Sequence, residues 1–333
     1  MMKPIFSTRH AITVFIVAAL GALLAYVALV PTGGDVTSAA ASLHVVTTTT
    51  IVQDLVQQVA GERAAVHSLL RPGMDPHAYQ PVPADLVALS RADLIVLHGA
   101  GLDAWAQSMI ERTRVKAKIV AVADGMKSDS DDAPEQVNRT RGEPGHEPGE
   151  HDHRHEGENP HYWFDPNLVK HYIAEIEKAL ISVDPAGAGV YRRNAARYVA
   201  ELSALDAWIR ERVAEIPESR RKLVTNHDTL SHFARRYGFE VVGTVIPGFS
   251  SEAEPSARQI AQLVRAIQSA GVSAIFTENT MSPRLAETVA REAGSSVRVV
   301  PLYTESLSTP GGPADTYLNF MRFNVNAIVQ ALR

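Results

Sequence analysis

The sequence predicts an α/β protein, built as two α/β lobes with parallel sheets joined by one long backbone helix. Three observations predict it. Short β-rich runs alternate with helical stretches from Leu43 onward, the pattern of parallel βαβ units. Near residue 185 the alternation yields to one long amphipathic stretch, and after residue 217 it resumes. The chain has 333 residues, 45% of them hydrophobic, which is enough for two ordinary domains with real cores.

Residues 1–42 read as a targeting segment. Lys3, Arg9 and His10 precede a charge-free apolar run from Ile12 to Val30, and Ala39, Ala40 and Ala41 offer an A-x-A cleavage pattern before Ser42. The run is longer than the usual signal-peptide core and close to bilayer-spanning length. It therefore fits a cleaved signal, or an anchor retained through residues 12–30. Either places the remainder outside the cytoplasm, in the periplasm or on the outer face of the cell membrane.

The first lobe covers residues 43–184. Leu43 to Thr49, Val66 to Leu70, Leu94 to His98 and Lys118 to Val122 read as strands, and Ile51 to Ala60 and Pro83 to Ser90 as helices. Residues 127–159 are rich in Asp, Glu, Gly, Pro and His and nearly devoid of apolar residues, which makes them a surface loop. Residues 185–217 form the connecting helix. Asp184 suits an N-cap and Pro185 a first helical position. Tyr191, Ala195, Tyr198, Leu202, Leu205 and Ile209 recur at steps of four and three, one helical face, and Pro217 closes the pattern. The second lobe, residues 218–333, has strands at Lys222 to Thr225, Glu240 to Val245, Val272 to Thr277 and Val297 to Pro301, with a closing helix from Thr316 to Leu332.

Composition limits the chemistry. A net charge of −5 gives no reason to expect nucleic acid. The chain has no cysteine, which excludes disulfides, thiolate ligands, a thiol nucleophile and a lipid-modified cysteine. Any transition-metal site must use imidazole and carboxylate. Four histidines, His146, His151, His153 and His155, lie in the polar loop among Glu150, Asp152 and Glu156. Such tracts bind divalent metals weakly and exchangeably. Others sit at predicted element ends, where βα architecture displays functional side chains. His77 lies in Gly73-Met74-Asp75-Pro76-His77-Ala78-Tyr79, and His161 in Asn159-Pro160-His161-Tyr162-Trp163-Phe164-Asp165-Pro166. His227 lies in Val224-Thr225-Asn226-His227-Asp228, and Glu305 in Tyr303-Thr304-Glu305-Ser306-Leu307. Taken singly, each is more often a surface group than a ligand. His98 and His232 read as structural, His171 as surface.

Together these stretches resemble the ZnuA/TroA/PsaA-like family of metal-binding proteins of ABC importers. Asp-Pro-His-Ala-Tyr is similar to the family's first ligand motif and Pro-His-Tyr-Trp-Phe-Asp-Pro to its second, preceded by a His-rich insertion like that of the zinc members. Asn-His-Asp, followed by Phe233-Ala234-Arg235-Arg236-Tyr237-Gly238, is similar to the third, and Tyr-Thr-Glu-Ser-Leu to the fourth. Glu254-Pro255-Ser256 and Phe276-Thr277-Glu278-Asn279 also fit, and the resemblance runs in order from Leu43 to Arg333. It implies a pair of similar lobes, a rigid connecting helix, and one metal ion held at their interface by His77, His161, His227 and Glu305. It also implies delivery of that ion to a membrane permease. The chain departs from the family in having Glu305 where Asp is more usual, and in lacking the lipoprotein cysteine.

Three imidazoles and one carboxylate make a closed set, whereas catalytic zinc keeps a position for water. No H-E-x-x-H is present. Binding is therefore expected rather than catalysis, by a monomer, with an exported zinc-dependent hydrolase as the alternative. A surface adhesin finds no repeat to support it. The expected cargo is Zn2+, with Mn2+ as the alternative, because imidazole suits zinc while a carboxylate widens the choice.

Overall fold

Eight short β-rich runs become two sheets. The computed structural model describes residues 42–113, 115–126 and 159–333. Strands β1 (Leu43–Thr47), β2 (Ala64–Ser68), β3 (Leu94–Leu97) and β4 (Lys118–Ala121) form one sheet in the order β2-β1-β3-β4. Strands β5 (Lys222–Thr225), β6 (Glu240–Thr244), β7 (Ala274–Glu278) and β8 (Arg298–Leu302) form the other in the order β6-β5-β7-β8. Every pairing is parallel. The two sheets thus repeat one topology. In each, the order reverses beside the first strand, and ligands collect at such switch points beyond the carboxyl ends. The central strands β3 and β7 are buried at every residue, as parallel strands covered on both faces must be.

Local signals set the helices α1 (Thr50–Ala60), α2 (Pro83–Ser90), α3 (Ala104–Thr113), α4 (Pro166–Val183), α5 (Ala188–Val213), α6 (Ser231–Tyr237), α7 (Ala257–Ala270), α8 (Arg284–Ala293) and α9 (Tyr317–Leu332). Thr49, Asp165 and Thr316 each accept a backbone N–H at the start of α1, α4 and α9, and Ser256 with Gln259 closes a capping box on α7. Pro83 and Pro166 occupy first-turn positions, where no N–H is needed.

The long helix α5 has 26 residues, about 39 Å at ~1.5 Å per residue. All six residues of the expected face are buried. Its start lies three residues later than the sequence suggests. Asp184 caps a 3-10 turn over Pro185–Gly187 instead, accepting from the Gly187 N–H. A Cβ on Gly187 would lie 2.4 Å from Asp184 Oδ2 and 2.5 Å from Arg63 Nε, so a side chain here would displace the Arg63–Asp184 pair. Arg63 and Tyr191 both donate to Asp184 Oδ2, tying the entry of β2 to the first turn of α5.

The largest apolar cluster runs through both lobes without a break. It joins α1, α4, α5 and α9 to one face of each sheet and is rich in fully buried rings, among them Trp163, Tyr172, Tyr198, Tyr317 and Phe320. Separate clusters around Leu89 and Ile95, and around Ile267 and Val289, cover the outer faces. Among the described residues no helix is long and apolar enough to cross a membrane; the apolar run 12–30 lies outside them.

Candidate metal centre

Each of the four expected side chains follows a strand end or a chain reversal. β2 runs into the loop that carries His77, where Asp75 Oδ1 accepts the His77 backbone N–H at 2.9 Å in an Asx turn. His161 opens the 3-10 turn Tyr162–Phe164 that leads into α4. His227 stands two residues beyond β5, with Thr225 Oγ1 donating to its carbonyl at 2.6 Å. Glu305 stands three residues beyond β8, after Thr304, whose backbone N–H is held by Asn279 Oδ1 at 3.1 Å.

The fold brings all four together, one ligand atom from each within 4.8 Å of every other. Nε2 of His161 lies 3.4 Å from Nε2 of His77 and 3.3 Å from Nε2 of His227. Glu305 Oε1 lies 2.8 Å from His161 Nε2, 3.2 Å from His227 Nε2 and 3.7 Å from His77 Nε2. These spacings surround the roughly 3.3 Å edge of a tetrahedron with ~2.05 Å bonds to a central ion. His161, His227 and Glu305 have fully buried side chains, and His77 is 9% exposed.

The outer faces of the rings decide where the lone pairs point. His161 Nδ1 lies 2.6 Å from Asn159 Oδ1, an atom that can only accept, so the hydrogen is on Nδ1. His227 Nδ1 lies 2.7 Å from Glu278 Oε1, a close charge contact that is off hydrogen-bond alignment and sets a carboxylate behind the ring. Glu278 also accepts from the His227 backbone N–H and from Thr304 Oγ1. Neither oxygen of the buried Glu305 accepts a well-aligned hydrogen bond. A buried carboxylate facing three inward-turned ring nitrogens is a costly arrangement that one cation at the centre would satisfy.

Charge follows from these contacts. Burial pushes the His161 imidazole down to about 3, which leaves it neutral with a free lone pair. Burial also acts to lower His227, but Glu278 and then Glu305 outweigh it and hold that imidazole up at about 10. Glu305, despite a burial that favours its acid form, is kept well below the usual carboxylate range by His161 and the other two imidazoles. Without an ion, His227 therefore carries a proton at neutral pH, and an ion at Nε2 must displace it. Binding is expected to release about one proton near pH 7.5, so that affinity rises roughly tenfold per pH unit until pH nears 10. Calorimetry in buffers of different ionisation enthalpy measures that number directly.

His98 and His232 are buried and hydrogen-bonded, and His171 is exposed on α4, as the sequence suggests. The loop histidines His146, His151, His153 and His155 lie outside the described residues. Sequence reasoning gave no role to Asn159, Glu278 or Thr304. The available signal was position: Asn159 stands two residues before a histidine, and Glu278 is a carboxylate ending a fully buried strand.

Comparison with known proteins adds to this geometry. The family model ZnuA, described as zinc-uptake complex component A, periplasmic, matches residues 45–331. The iron-binding protein YfeA of Yersinia pestis is 33% identical over 318 residues, covering 94% of this chain and 95% of its own. The manganese-binding lipoprotein MntA of Bacillus subtilis is 30% identical over 300 residues, covering 89% and 92%. Among solved structures, the periplasmic zinc-binding protein TroA of Treponema pallidum superposes with a TM-score of 0.76 at 27% identity, covering 87% of this chain and 99% of that one.

Proposed function

The chain belongs to the zinc-uptake complex component A family, and from that premise we propose that it captures one zinc ion between its lobes through His77, His161, His227 and Glu305. The family is one of extracytoplasmic substrate-binding components of metal ABC importers, so the protein binds a metal, works with a membrane permease and is not an enzyme. The alternative of an exported zinc-dependent hydrolase is thereby set aside.

Relatives named for iron, manganese and zinc leave the cargo open at the level of family. The observation that carries zinc is the convergence of three ring nitrogens and one carboxylate oxygen at tetrahedral spacing. Imidazole-rich four-coordination suits zinc, whereas manganese takes more oxygen. The deciding measurement is the metal content of protein taken from its native envelope. Zinc near one ion per chain is expected. Manganese or iron there overturns the choice of cargo and leaves the importer role standing. Affinity in a test tube is a poorer guide, because zinc outbinds manganese at most such sites.

We assign the protein a monomeric working form and an export signal in residues 1–42. Amino-terminal sequencing of native protein is expected to begin near Ala41 or Ser42. An intact Met1 in the membrane fraction would favour an anchor through residues 12–30 instead.

The His-rich stretch 127–159 serves, in this reading, as a weak collector that raises local zinc near the cleft. Deleting Gly142 to Gly157 removes His146, His151, His153 and His155 and none of the four core ligands. The tight site should keep its affinity, while total zinc stoichiometry falls and loading at scarce zinc slows. Equilibrium dialysis and stopped-flow loading compare the two proteins. Loss of the tight site would show that a loop histidine is one of its ligands.

A further inference from the structure

Two buried histidines outside the cluster hold the backbone from which His161 hangs. His98, at the carboxyl end of β3 in the first lobe, has Nε2 2.9 Å from the carbonyl oxygen of Pro160. His232, on α6 in the second lobe, has Nε2 2.9 Å from the carbonyl oxygen of Asn159. A carbonyl can only accept, so both rings donate. The first of these carbonyls in the chain belongs to the residue whose side chain sets His161: Asn159 Oδ1 takes the His161 Nδ1 hydrogen at 2.6 Å and the His161 backbone N–H at 3.1 Å. The other end of the same amide donates to the Asp228 carbonyl at 2.8 Å, one residue beyond His227.

The rings reinforce the hydrogen bonds. His98 packs edge-on to Trp163 at 4.9 Å, and Trp163 packs on His161 at 5.1 Å. His232 lies against Tyr162 at 4.5 Å. One histidine from each lobe thus grips the Asn159–Pro160 step, and the next residue presents its Nε2 to Glu305. If either lobe shifts, the step moves with it and the Asn159–His161 bond loses its geometry.

We propose that His98 and His232 are positioning residues for the metal centre, one from each lobe, which tie the tautomer and aim of His161 to the relative placement of the lobes. This rests on reading the four-residue cluster as the metal site. The hydrogen bonds to Pro160 and Asn159 carry the effect, and the distinction between a donor and an apolar ring of similar bulk tests it. Glutamine places an amide N–H about where histidine Nε2 stands, whereas leucine fills space without donating.

The test uses the full chain and zinc in competition with a chromophoric chelator. His98→Leu and His232→Leu are each expected to raise the zinc Kd by about ten- to a hundredfold, the usual cost of losing an outer partner of a metal ligand. His98→Gln and His232→Gln should return it to within about threefold of the parent. Because His232 acts through Asn159, His232→Leu should add little to Asn159→Ala, rather than multiplying its effect. Cobalt substituted for zinc supplies a second readout, since its visible bands should shift in the leucine variants and not in the glutamine ones. A folded leucine variant with unchanged zinc affinity would overturn the proposal, as would full additivity with Asn159→Ala. If a leucine variant fails to fold, His98→Asn replaces it, because its shorter amide cannot reach Pro160. His77→Ala serves as the control: no loss of zinc there defeats the site assignment itself, whereas loss there without loss in the leucine variants defeats only this inference.

Discussion

Alanine in place of His227 is expected to lower zinc affinity by more than about a hundredfold, beyond the ten- to hundredfold typical of outer-sphere losses. Three features make the effect large. The ring is fully buried, so bulk water is poorly placed to supply a substitute ligand. Its removal also leaves Glu278 and Glu305 as neighbouring buried carboxylates without the imidazole between them. An uncompensated buried charge is costly, so the metal-free protein should lose stability as well. His161→Ala should match it, because that ring is equally buried and lies closest to Glu305. His77→Ala should cost less, since its ring keeps some exposure and stands on a loop that can admit water. Glu305→Ala should weaken binding too, and less than the buried imidazoles do, because water can replace one carboxylate oxygen. Calorimetry with a competing chelator orders the four. Unchanged affinity in both the His77 and the His227 variants rejects a site shared between the lobes.

The same residues show which parts of this protein were legible in the chain. Strand positions were readable because parallel strands bury both faces and appear as runs such as Leu94 to Leu97, and Lys222–Thr225 matches the sequence reading residue for residue. The spacing of Tyr191, Ala195 and Tyr198 exposed the face of α5 for the same physical reason, a single period of burial. Gly187 and Gly189 weaken the first turn in the sequence, and the α-helix starts at Ala188, after the 3-10 turn that Pro185 opens. There Asp184 accepts the Gly187 N–H and closes a 3-10 turn, while Arg63, far away in sequence, holds the same carboxylate. At the site, the three histidines and Glu305 stood out as reactive groups at strand ends and in motif order. Their partners had no role in the sequence reading, although Glu278 lies in a stretch that fits the family pattern. Asn159 acts through a 2.6 Å contact fixed by its own backbone turn, and Glu278 through an approach across two neighbouring strands. His98 and His232 were legible as buried and structural. That they hold adjacent carbonyls, one each, depends on the lobes meeting, which the sequence does not display.

Trp163 is where the fold and the site are hardest to separate, and Trp163→Ala should damage stability more than the loss of any of the four ligands. The side chain is 1% exposed within the cluster shared by both lobes. Large-to-small changes of this kind cost about 3–5 kcal/mol. In a body of this size that corresponds to a fall in Tm on the order of 10 °C, measurable by calorimetry or circular dichroism. The indole does more than fill space. Its Nε1 donates to the Thr304 carbonyl at 2.9 Å, next to Glu305, and its face supports His161 and His98. One residue therefore braces an imidazole that precedes it by two positions and the backbone of a carboxylate on the far lobe. Trp163→Phe separates the two contributions. It keeps most of the packing and leaves a buried carbonyl unsatisfied, at a cost of about 1–3 kcal/mol. The rise in Tm on adding zinc reports the binding free energy, because a ligand stabilises only the state that holds it. If the indole were simply core, both variants would lower Tm with and without zinc by the same amount, and the zinc-induced rise would persist. The contacts to Thr304 and His161 lead to the other outcome, in which the rise shrinks in Trp163→Phe and is largely lost in Trp163→Ala.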